Sequence, residues 1–132
     1  MIKYTAISEA LPGTFALPML LSTNEVQLTS LTLKQLQPGD RVELMYSLAW
    51  EKPGHRDIGE IELTLRRGSP NGPVVSWSEE TCYQKAVSTG HHTEISAATG
   101  ELTYYLSAAS FDQRAIAIGP LVLKGTVLHG SA

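Results

Sequence analysis

The chain encodes an all-β fold, an antiparallel β-sandwich, and three observations point to it. Long segments alternate apolar and polar residues with a period of two. Helical periodicity is nearly absent, and Gly/Pro turn chemistry interrupts the chain at short intervals. The clearest segment runs from Val26 to Trp50, VQLTSLTLKQLQPGDRVELMYSLAW. Its second half sets Val42, Leu44, Tyr46, Leu48 and Trp50 on one side of a strand and Arg41, Glu43, Met45, Ser47 and Ala49 on the other. Because strand side chains point to alternate faces, the first set belongs to a core and the second to water or a partner.

Taken in order, strands are expected at about 2–7, 14–20, 25–36, 41–51, 58–67, 73–79, 82–87, 91–97, 101–108, 114–118 and 121–128. Ile2, Tyr4 and Ala6 form the first, followed by a spacer, Ser8-Glu9-Ala10-Leu11-Pro12-Gly13. Residues 1–13 are therefore an N-terminal arm or a first strand with its spacer, and 14–132 a single sandwich domain. Such an arm can pair within its own sheet or cross to the edge of a neighbouring copy, satisfying edge N–H and C=O groups. Gln37-Pro38-Gly39-Asp40 is a turn, since proline presets φ and glycine accepts positive φ. Lys52-Pro53-Gly54-His55-Arg56-Asp57 is a loop, and Gly68-Ser69-Pro70-Asn71-Gly72-Pro73 a compact turn. Ala98-Thr99-Gly100 suggests a hairpin loop, and Gly119-Pro120 precedes the last strand. Three further segments alternate well: Ile61, Leu63, Leu65; Leu102, Tyr104, Leu106; and Leu121, Leu123, Val127. Many short strands of this kind without helices indicate a sandwich of the jelly-roll type.

Composition narrows the function classes. Of 132 residues, 42% are apolar and 17% charged, fewer charges than the roughly 25% of an ordinary soluble domain. A chain short of charge has surface to commit to neighbouring subunits, although a Ser/Thr-rich β protein has the same composition. Net charge is −3 with scattered Lys and Arg, which argues against nucleic acid as a partner. The single cysteine, Cys82, excludes an intrachain disulfide. It follows Glu79 and Glu80, whose charges raise a thiol pKa, so it is a packing residue or, alternatively, an intermolecular bridge. Pro12, Gly13, Thr14 and Pro18 interrupt the N-terminal apolar residues, so no signal peptide is visible, and no segment is long enough for membrane insertion. Cell, spore or virion surface is the expected location, otherwise the cytoplasm.

No catalytic motif appears. His91-His92-Thr93-Glu94 is the one cluster of metal-ligand types, and in a strand only His92 and Glu94 share a face. Two ligands fall short of a zinc site, which leaves His92 and Glu94 as weak metal candidates and no cofactor expected. No serine stands in a Gly-x-Ser-x-Gly turn, and Glu60 and Glu62 would need a cleft to act as a glycosidase pair. Asp57, Glu60 and Asp112 are too dispersed for calcium. Among the aromatics, Trp50 and Tyr104 fall on core faces, leaving Trp77, Tyr83 and Tyr105 as exposed ligand-binding candidates, for a glycan above all.

The ribbon LQPGDRVELMYSLAW and the closing AIAIGPLVLKGTVL resemble the tumour-necrosis-factor-like and complement-globular-head-like jelly rolls, whose bacterial versions occur on spore surfaces. The resemblance spans about residues 25 to 128 in pattern, without the Gly-x-Tyr that opens the central strand of the mammalian domains. It implies oligomerisation and carries over no binding residue. The expectation is thus a non-enzymatic, self-assembling structural subunit or head domain of a bacterial surface, spore or phage particle. Its partners would be copies of itself, with Ile2, Tyr4 and Ala6 of the arm as assembly residues. A carbohydrate-binding module is the alternative.

Overall fold

A computed structural model describes residues 1–11, 13 and 17–130. Among the described residues nine strands form in chain order: β1 (Ile2–Ala10), β2 (Met19–Leu20), β3 (Val26–Leu36), β4 (Arg41–Glu51), β5 (Gly59–Arg67), β6 (Val74–Cys82), β7 (Lys85–Ile95), β8 (Gly100–Ala109) and β9 (Ile116–Leu128). They make two antiparallel sheets. The front sheet has the order β1-β9-β4-β7, with β2 continuing the β1 edge along β9, and the back sheet the order β3-β8-β5-β6. Apart from the β1–β2 segment and the β5–β6 hairpin, each consecutive pair of strands passes from one sheet to the other, the wrapping of a jelly roll.

The core lies between the sheets. Val42, Leu44, Tyr46, Leu48 and Trp50 are all buried, as their alternation predicts, and they meet Leu31, Leu33, Ile61, Leu63, Leu65, Tyr104 and Leu106 from the back sheet. Leu121, Leu123 and Val127 complete the front layer. Within the core the Trp50 indole Nε1–H donates to Ser88 Oγ at 2.8 Å, which avoids the cost of an orphaned donor.

Several expected boundaries are corrected. Ser8, Glu9 and Ala10 belong to β1 rather than to a spacer, because they pair with Leu123, Val122 and Leu121. The strand expected at 14–20 survives as β2, while residues 14–16 lie outside the described residues. The segments expected at 82–87 and 91–97 join through Gly90 as β7, Lys85–Ile95, while Cys82 ends β6. A Cβ at Gly90 would stand 2.3–2.4 Å from the Tyr46 ring, so the missing side chain is the space that ring occupies. Segments 114–118 and 121–128 likewise merge into β9, whose Gly119-Pro120 step falls at a register shift against β4. Finally, Ala98-Thr99-Gly100 does not close a hairpin, since β7 pairs with β4 while β8 pairs with β3 and β5.

Candidate functional site

The front sheet's outer face is built from the residues that alternation leaves facing away from the core. Register aligns them in rows: Ile2, Leu128, Arg41 and Ile95; Ile7, Lys124, Met45 and His91; Glu9, Val122, Ser47 and Thr89. Leu20 pairs with Ile116 at one end, and Val87 with Ala49. Ile2, Ile7, Leu20, Met45, Val87 and Ile95 are all substantially exposed here. The strands bring Glu9, Glu43 and Glu51 against Arg41, Lys85 and Lys124, so the face is electrically balanced. Arg41 and Glu43 pair at 3.1 Å. Where β9 shifts register, an open depression of about 470 Å³ forms, lined by Ala49, Val87 and Ile118 with Glu51 and Lys85 at its rim.

The arm residues separate. A bulge between Ile2 and Tyr4 turns Ile2 to the outer face, while Tyr4 and Ala6 pack against the core. Lys3, at that bulge, donates to Asp40 Oδ2 at 2.7 Å. The Asp40 carboxylate also accepts from the backbone N–H groups of Gln37 (2.9 Å) and Gly130 (3.0 Å). It therefore ties the first strand, its own turn and the segment after β9 together. Lys3, first, and then the two N–H groups hold the Asp40 carboxyl down at about 2, against the opposing effect of desolvation. Nothing in the sequence beyond the turn itself marks Asp40 for this role.

The back sheet's outer face carries two of the three aromatic candidates. Trp77 pairs with Thr64, and Tyr105 with Arg66, two residues along β5 on the same face. Trp77 is 56% exposed. Between them Arg66 grips Glu25 with two hydrogen bonds, 2.8 and 2.9 Å, and those bonds hold the Glu25 carboxyl below its ordinary range. Tyr83 is not part of this face. It sits in the β6–β7 link, about 20 Å along the strand from Trp77.

His92 and Glu94 do share a face, the inner one, and meet at 2.9 Å. Their surroundings are those of an ion-pair node. Arg67 Nη1 donates to Glu94 Oε1 at 2.8 Å, and the Tyr104 hydroxyl donates to Oε2 at 2.5 Å. Burial pushes the Glu94 carboxyl up, but the hydrogen bonds from Tyr104, His92 and Arg67 outweigh it, so the net shift is downward. Tyr104 is pushed up by burial and by Glu94. Among the described residues no group of three His, Cys, Asp or Glu could hold a metal. Asp112 instead pairs with Arg56 at 3.0 Å, which leaves the dispersed oxygen donors without a common centre. Cys82 is half-buried and its thiol is raised, as expected, although burial rather than the neighbouring carboxylates is the cause.

No family model matches the sequence, and no curated protein matches it. Among the described residues no helix is long and apolar enough to cross a membrane. The fold is similar to that of the Eiger TNF from S. frugiperda, at 15% identity and a TM-score of 0.43, covering 69% of this chain. The chain spans less than two thirds of that protein, 61% of its length. It is also similar to the sugar-binding EclA C-terminal domain, at 14% identity and a TM-score of 0.45, covering 93% of this chain and 79% of that one. A CBM36-1 domain of a multidomain xylanase from the hindgut metagenome of Trinervitermes trinervoides matches at 14% identity and a TM-score of 0.49, covering 98% of this chain and all of that domain. The two antiparallel sheets and their strand order make the fold an all-β jelly roll, the fold class that the sequence resemblance implies.

Proposed function

We propose that this chain is a non-enzymatic structural subunit that assembles with copies of itself through the outer face of its front sheet. In that role it would serve as a head domain or building block of a bacterial surface, spore or phage particle. The supporting observation is that Ile2, Ile7, Leu20, Met45, Val87 and Ile95 all stand exposed on one charge-balanced face, interleaved with its charges. Apolar side chains set among balanced charges are the mixture that a subunit interface presents. Four strands averaging eleven residues present about 700 Å². Stable interfaces bury about 800 Å² per partner, so the face is of the right size. Its equal numbers of carboxylates and cations let a second copy dock without the repulsion that the chain's overall −3 would impose. A lysine in place of Met45 puts an unpaired charge at the centre of the face without touching the core. Light scattering should then give a lower mass for Met45→Lys than for the parent at unchanged circular dichroism. A parent that is monomeric at all concentrations removes the reading.

A second reading, glycan binding, is favoured by one specific observation. Trp77 and Tyr105 share the outer face of the back sheet, on either side of the Arg66–Glu25 pair, which offers stacking surfaces beside hydrogen-bonding groups. Trp77→Ala should abolish retention on a glycan array, and a parent that binds no glycan on the array ends this reading.

A further inference from the structure

The sandwich has four long edge strands, and three of them are guarded against pairing with other chains. β1 carries a bulge between Ile2 and Tyr4. β3 has two register shifts against β8. β6 has one shift and carries Glu79 and Glu80 with no Lys or Arg, so two copies of it repel. Bulges and like charges of this sort are how sheets blunt their edges. β7 has neither. It matches β4 residue for residue from Lys85 to Ile95, with no shift and no proline. Its inward carboxylate, Glu94, does not guard the edge, because Arg67, His92 and Tyr104 already satisfy it.

From this contrast we infer that β7 is a second self-association site, pairing antiparallel with β7 of another copy across a two-fold axis at Gly90. The partner is a second copy in that orientation because the strand's free outward charge, Lys85, then faces Ile95, whereas parallel pairing would set Lys85 beside its own copy. Centring on Gly90, the midpoint of β7, uses the full eleven-residue edge and sets Thr89 opposite His91, and Val87 opposite Thr93. The outward pairs are then Lys85 with Ile95, Val87 with Thr93 and Thr89 with His91, each holding a β-branched residue that suits cross-strand packing. The front sheet becomes eight strands wide, not counting the short β2 segments. This inference rests on the self-assembly proposed above and extends it. One protomer with two different two-fold contacts, a face and an edge, propagates an open chain instead of closing as a dimer.

Cysteine pairs test it, in a Cys82→Ser background so that the introduced thiols are the only ones. Opposed residues on antiparallel strands have Cα atoms about 4.5–5.5 Å apart, within disulfide range. Thr89→Cys with His91→Cys should give a covalent dimer on mild oxidation, and so should Val87→Cys with Thr93→Cys. The two pairs are independent, so a folding defect in one leaves the other to decide. Each single variant should cross-link at least tenfold more slowly. Absence of dimer in both pairs, or equal rates for singles and pairs, overturns the β7 contact. Adding Met45→Lys separates the two contacts: β7 cross-linking that persists when Met45→Lys leaves the parent mass unchanged means that the face reading fails and the edge stands. Loss of cross-linking with the face intact means the reverse.

Discussion

Gly90 is the residue at which the front sheet's edge depends on a distant side chain. Tyr46 lies over it and reaches Ser78 Oγ of the back sheet at 3.0 Å, so one ring spans both sheets at their open side. Gly90→Ala forces a Cβ into that ring and should cost about 1–3 kcal/mol in chemical denaturation. The loss should shrink in a Tyr46→Leu background, because the two positions share one space. Asp40 sets a different dependence. Its folded pKa, about 2, lies below the ordinary value of 3.8, so its contribution to stability is fully present above about pH 4. That contribution is lost as pH falls toward 2. Asp40→Asn should therefore flatten the acid limb of a stability–pH curve in that window. An unchanged acid limb would show that the Lys3, Gln37 and Gly130 bonds do not hold this carboxylate in solution.

Among the elements, β4 was legible almost completely and β7 was not. Every inward residue of β4 is apolar, and the alternation that reveals it is local to the strand. The inward positions of β7 are Ala86, Ser88, Gly90, His92 and Glu94, which by themselves describe a polar segment. They are inward only because of what reaches them: the Trp50 indole at Ser88, the Tyr46 ring at Gly90, and Tyr104 with Arg67 at Glu94. No local pattern reports partners so far along the chain. The same reason hid the path after Ser96, where a turn-like sequence crosses between sheets. His92 and Glu94 were correctly placed on one face, but the third and fourth members of their cluster come from β5 and β8. Tyr104→Phe tests that cluster. It removes a hydrogen bond to a charged, half-buried acceptor and should cost about 1.5–3 kcal/mol, read from urea midpoints. A midpoint equal to the parent's would mean that Glu94 is served by Arg67 and His92 alone.

For the whole molecule, the two outer faces divide the chemistry that the sequence left undivided. The register places aliphatic side chains on the front and Trp77 with Tyr105 on the back, so the two readings of function are open to separate substitutions. Self-association through the front face links stability to concentration, because an assembled state binds only folded chains. For a dimer of a domain this size, tenfold dilution should lower Tm by about 2 °C. Met45→Lys should remove that dependence while leaving the dilute-limit Tm close to the parent's, since Met45 is partly exposed and outside the core. Trp77→Lys, a charge of the same sign on the opposite face, should leave the dependence intact. A dilution effect abolished equally by both would trace association to net charge rather than to the front sheet. One abolished by neither would place the contact elsewhere on the surface.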